Sequence, residues 1–287
     1  MERERLSTGG RVERVVLALA FTAIGLLIIV VFSPWHPQLD RIPDYVGRIA
    51  LCVVLGLTAQ VMRRSERHAR YGALAFGLFT LALAVTLDRI LSIYLLDFLG
   101  VSDAAPSGWA ILKAHEMLVV FVVIILCTRL YGEGLGAIYL QRGRLRLGLL
   151  IGGVAFAVGA AGAIPTAGLL FNAPGLTVAR VLPWLPWLLT YVLANGALEE
   201  LMFRGLFLQK LRPFFGAFGA NLLIAIVFTL LHTGAFYTSE EYIFLALTFP
   251  LALVWGYLMQ KTDAAWASIL FHAGFDIPIM LGIFANL

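Results

Sequence analysis

Apolar residues in this chain come in long stretches separated by short polar breaks. Residues 15–32 form an apolar run of 18, about the length a helix needs to cross a ~30 Å hydrocarbon core at 1.5 Å per residue. Further stretches lie at roughly 45–62, 71–96, 109–130, 147–164, 183–209, 215–236, 242–260 and 264–285. The pattern predicts an all-α fold, a polytopic membrane helix bundle of about nine transmembrane helices, with eight possible. The first run meets Ser33-Pro34-Trp35 with no small-residue cleavage site, which reads as a retained signal-anchor helix. Residues 137–146 alternate apolar and basic positions, the pattern of a short amphipathic helix along the inner membrane surface, with a solvated loop as the alternative. Residues 165–182, with Pro174-Gly175, read as an outer loop or a shallow re-entrant piece.

Composition narrows the class further. The chain is 61% hydrophobic and 13% charged, with a mean hydropathy of +0.90, outside the range of a soluble domain. Its net charge of +4 would fit an acidic partner in a soluble protein, but in a membrane protein a Lys and Arg excess records orientation. With a cytoplasmic N-terminus, fifteen of the 21 Lys and Arg fall in the cytoplasmic segments, and only Arg41, Arg48 and Arg180 fall on the other side. The expected topology is therefore N-terminus inside and C-terminus outside. All six tryptophans fall near predicted span ends, where interfacial anchors belong. Cys52 and Cys127 lie in apolar runs and are too few for a disulfide framework. No basic patch interleaved with aromatics points to nucleic acid.

The chemistry concentrates in Leu198-Glu199-Glu200-Leu201-Met202-Phe203-Arg204, inside the apolar run 184–208. A charge at the middle of a membrane helix costs roughly 2.5–3.5 kcal/mol on insertion scales, so such residues usually face a bundle interior or a wet cavity. Glu200 and Arg204 are four apart, share a face, and stand in the favourable order for an ion pair. Glu199 is rotated about 100° from Glu200 and is free to take a water or a proton. Two further constellations follow, Phe228 with His232 and His272 with Asp276, each at i,i+4. Asp88, Arg89, Lys113 and Glu116 form a second polar group near the outer ends of spans three and four; paired helix contacts are the simpler reading of it.

E-E-x-x-x-R, then F-x-x-x-H, then H-x-x-x-D, in that order on successive hydrophobic segments, resembles the CAAX protease and bacteriocin-processing family of intramembrane glutamate endopeptidases. The similarity covers roughly residues 180–287. It divides the chain into N-terminal helices 1–136 without a recognised motif and a protease-like core 137–287, with its motifs within 198–276. The resemblance implies an intramembrane endopeptidase in which Glu199 and His232 hold and activate the water. His272 and Asp276 face the oxyanion, Glu200 and Arg204 brace the helix, and Phe228 packs at the cavity wall. Several family members carry Asn where this chain has Asp276, and an ionised Asp cannot donate a hydrogen bond. No cofactor is implied; zinc held by Glu199, His232 and His272 is the alternative. The expected partners are the lipid bilayer and a membrane-embedded or lipid-anchored protein or peptide substrate, and the expected location is a bacterial plasma membrane, multi-pass. A non-catalytic scaffold or bacteriocin-immunity protein is the competing reading, and a transporter a third, since intramembrane charge also marks ion pathways.

Overall fold

A computed structural model describes residues 8–33 and 38–287. Trp35 and most of the expected Ser33-Pro34-Trp35 membrane exit lie outside the described residues, as do Arg3 and Arg5. Among the described residues the elements are all helical. In chain order they are α1 Thr8–Leu26, continued by a π-turn Leu27–Val31, then α2 Arg41–Arg63, α3 Ala69–Leu91, α4 Leu95–Leu99, α5 Pro106–Leu130 and α6 Leu145–Leu170. The short α7 Val178–Val181 leads to α8 Leu185–Glu199, a π-helix Glu200–Gly205, α9 Leu206–Leu230, α10 Glu241–Thr262 and α11 Trp266–Ala285.

Eight of the helical stretches are long and apolar enough to cross a membrane, which makes the chain a polytopic helical bundle. The count of nine differs from eight at one place. Val178–Leu230 is continuous over 53 residues, about 80 Å at 1.5 Å per residue and far longer than a single span requires. It breaks at Gly216, where φ is 72° and ψ is 176°, a conformation essentially restricted to glycine. The chain folds back there. Phe203 and Phe228, thirteen residues before and twelve after the break, meet edge-on at 5.2 Å. The two apolar segments expected at 183–209 and 215–236 are thus the two arms of a hairpin.

Three expectations are corrected. Residues 137–146 form no amphipathic helix: a 3₁₀ turn Leu135–Ile138 is followed by Tyr139 and Gly143 at positive φ, and both stop a helix. Instead the segment is pinned to the α10–α11 turn, with the Arg144 amide donating to Thr262 O at 2.7 Å and the Ala265 amide to Tyr139 O at 3.1 Å. Pro165 lies inside α6, which runs on to Leu170, so the outer connection shrinks to the residues before α7. Finally, Trp255 is no interfacial anchor. It is 3% exposed and packs inside the bundle.

The principal core joins the N-terminal and C-terminal helices, with Phe21, Leu78, Ile124, Leu201, Ile224 and Met259 buried together. The outward faces of α2 and α6 are apolar and exposed, as at Val53, Leu57, Val154 and Val158, and suit contact with lipid. Between α6 and α11 the backbones touch. A Cβ on Gly274 would lie 2.5 Å from Phe156 Cα, a backbone atom that cannot swing aside, so a small residue is required at this crossing. Gly274→Ala is expected to separate the helices at a cost of about 1–3 kcal/mol, the usual range for overpacking. A lowered unfolding midpoint in detergent would register it; an unchanged midpoint would show that the crossing has slack.

Candidate active site

The hairpin at Gly216 sets the depth of the two motif arms. Counted at ~1.5 Å per residue from the break, Glu199 and His232 lie seventeen and sixteen residues away and reach the same height, about 25 Å. The returning arm ends at Leu230, so His232 sits in the following loop and not within a continuous span.

Glu199 closes α8, and the next six residues widen into the π-helix Glu200–Gly205. Such insertions recur at functional sites. They leave the Glu200–Arg204 pair intact, with Arg204 Nη1 donating to Glu200 Oε1 at 2.9 Å and both side chains fully buried. The Arg204 guanidinium also lies 4.3 Å from the Phe228 ring centroid and 5.4 Å from that of Trp255, so aromatic faces take part of its charge. Phe228 is 1% exposed. It packs behind the site between Phe203, His232, Trp255 and His272.

His272 is held from three sides. Its Nδ1 donates to Glu200 Oε1 at 2.9 Å, its Nε2 lies 3.5 Å from Glu199 Oε2 and 3.6 Å from Asp276 Oδ1, and its ring stacks on Trp255 at 4.0 Å and 7°. At 2% exposure it stands behind the two carboxylates and touches the site through them. Asp276 accepts a hydrogen bond from Asn195 Nδ2 at 3.0 Å.

In front of these groups opens a cavity of about 1070 Å³. Glu199, His232, Asn195 and Asp276 line it, and so do Asp88, Lys113 and Glu116. Within the second polar group Lys113 pairs with Glu116 at 2.7 Å, and His115 Nδ1 lies 3.3 Å from Asp88 Oδ1. The group is also part of the same chamber, which its sequence position did not disclose. His232 Nδ1 lies 2.8 Å from Phe228 O; a carbonyl only accepts, so Nδ1 carries the proton and Nε2 keeps its lone pair. Burial holds this imidazole below its ordinary pKa range, against the opposing pull of Glu199. In the same loop, burial and the nearby Glu199 and Asp276 carboxylates push the Tyr237 phenol up, so it stays protonated. Among the described residues, no three His, Cys, Asp or Glu side chains are grouped to hold a metal ion, and Cys52 and Cys127 are buried free thiols.

Residues 181–278 match the Rce1-like family, described as type II CAAX prenyl endopeptidase Rce1-like. The match is consistent with the family read from the three motifs. Every motif residue, from Glu199 to Asp276, lies in the Rce1-like segment, whereas Asp88, Lys113 and Glu116 lie outside it. No curated protein and no solved structure matches the chain.

Sequence reasoning passed over Asn195 and Tyr237 and took Trp255 for an interfacial anchor. Asn195 had a usable signal, since it precedes Glu199 by four residues and therefore shares its helix face. Trp255 had none, because its stacking on His272 arises only when α10 and α11 pack.

Proposed function

We propose that the protein is an intramembrane endopeptidase of the CAAX-protease type that hydrolyses a peptide bond in a membrane-embedded or lipid-anchored protein or precursor peptide. The observation that carries this reading is the meeting of Glu199 and His232 on the wall of one large cavity, brought level by the hairpin at Gly216. Glu199 takes a proton from the attacking water, whose oxygen bonds to the scissile carbonyl carbon. His232, neutral with Nε2 available, helps hold that water, takes the proton from Glu199 on Nε2 and passes it to the departing amine as the C–N bond breaks. The carbonyl oxygen gains negative charge on the side bordered by Asp276, with His272 behind it. Glu200 and Arg204 fix His272 and the π-helix.

The test is cleavage of a membrane-tethered peptide library by the detergent-purified protein, with wild type, Glu199→Gln and His232→Ala compared and a chelator arm in parallel. His232→Ala is expected to lower kcat by about 10²-fold or more, the usual scale for losing a positioned proton carrier. Activity unmoved by chelator supports the glutamate mechanism, and chelator-sensitive cleavage would reassign Glu199, His232 and His272 to a metal site. Equal silence of all three proteins would favour the scaffold or immunity reading. The pH profile provides a separate check. Burial disfavours the imidazolium of His232, so its neutral form survives to lower pH than in an exposed histidine. kcat/KM should therefore show no acid limb above the ordinary imidazole value of about 6.5; a limb centred higher would contradict the assigned role.

A further inference from the structure

We propose that Asn195 is a further catalytic residue, its side-chain amide donating a hydrogen bond to the oxyanion of the tetrahedral intermediate. The inference rests on the protease reading above and adds the group that stabilises the charge.

Peptide hydrolysis needs a preorganised donor where negative charge develops. The residues placed on that side by sequence do not supply one directly. Asp276 accepts on Oδ2 from Asn195 at 3.0 Å, and its Oδ1 faces His272 Nε2 at 3.6 Å. An ionised carboxylate has no proton to give. His272 is buried behind Glu199 and Asp276 and spends Nδ1 on Glu200.

Asn195 meets the requirement. It lies one turn before Glu199 on α8, so both side chains leave the helix on the same face, and both line the cavity with Asp276. Its amide cannot be flipped, because Oδ1 in the place of Nδ2 would oppose the Asp276 carboxylate with a second acceptor. An amide nitrogen carries two hydrogens. Asp276 takes one and so fixes the plane of the group, leaving the other for a reacting carbonyl in the cavity. At 8% exposure the side chain is held before substrate arrives, as a donor of this kind must be. Asp276 is then the positioning residue, and Asn195 touches the reacting atoms. In the step itself, water oxygen bonds to the carbonyl carbon as the C=O π pair moves to oxygen. Glu199 receives the water proton, and the oxyanion accepts from Asn195 without proton transfer.

The experiment uses the full-length protein in detergent and a library peptide that wild type cleaves and Glu199→Gln does not, together with the trifluoromethyl ketone analogue of that peptide, which forms a tetrahedral adduct. Asn195→Ala and Asn195→Asp are expected to lower kcat by about 10²–10³-fold, with KM within about threefold of wild type and analogue affinity falling in step with kcat/KM. A role confined to holding α8 against α11 would not weaken the analogue selectively. Activity of Asn195→Ala within about threefold of wild type, or a fall in kcat with analogue affinity unchanged, overturns the proposal. Should the single variants fail to fold, the exchange Asn195→Asp/Asp276→Asn keeps the interhelix hydrogen bond and returns an amide to the site. Recovered cleavage in a folded exchange protein supports the donor role, and silence overturns it. If no peptide is cleaved by wild type, or Glu199→Gln cleaves equally, the protease reading falls first and takes this inference with it, without any Asn195 variant being needed.

Discussion

Glu199→Gln protein is expected to fold as wild type does and to cleave its substrate about 10²–10⁴-fold more slowly, the range for loss of a general base. The variant is close to isosteric, and the fold tolerates it because Glu199 is not the partner of Arg204. That guanidinium bonds Glu200, the neighbour on the other face of the helix. Removing the Glu199 charge therefore strands no buried cation. Its side chain is 14% exposed, against 0% for Glu200. Two adjacent carboxylates thus have separable fates, which unfolding midpoints and cleavage rates measured on the same samples would show. Glu199→Gln should lose rate and keep its midpoint. Glu200→Gln should lose stability. Coincident loss of both properties in Glu199→Gln would mean that this side chain is structural.

Arg204→Leu is expected to be the most destabilising single change, at about 3–5 kcal/mol, because one partner of a buried ion pair is left uncompensated. The remaining contacts of the guanidinium go as well, namely the bond to Ala252 O at 3.4 Å and the faces of Phe228 and Trp255. Replacing both members of a buried pair with apolar residues is often neutral. Here the double variant Glu200→Leu/Arg204→Leu should stay destabilised, since His272 Nδ1 loses its acceptor. Detergent unfolding of the single and double variants decides this. Recovery in the double variant would show that the Glu200–His272 bond contributes little.

The parts of the molecule that were legible in the sequence rest on short-range rules. Membrane spans register as apolar length, and the Glu200–Arg204 pair follows from i,i+4 spacing, which survives the π-helix. The misreadings arise where tertiary contacts overrule a local pattern. The alternation at 137–146 was genuine, but Arg144 and Tyr139 bond to the α10–α11 turn, which holds the segment out of a helix. The loop expected from residue 165 onward begins as helix, since a membrane helix accommodates Pro165 by local adjustment. The reversal between the apolar segments 183–209 and 215–236 was legible as a gap in the pattern, and the break falls at Gly216. The junction of Lys113 and Glu116 with the chamber of Glu199 depends on α5 packing against α8, which no motif encodes.

That junction has a consequence for how such proteins diversify. The groups proposed to carry hydrolysis all lie in the Rce1-like segment, while Asp88, Lys113 and Glu116, which line the same cavity, belong to helices that the family match does not cover. Chemistry and target choice would then reside on separate stretches of one polypeptide, free to drift at different rates. A chimera that kept 181–278 and took α3 to α5 from another protein of this kind should inherit its bond-breaking apparatus from one parent and its clientele from the other.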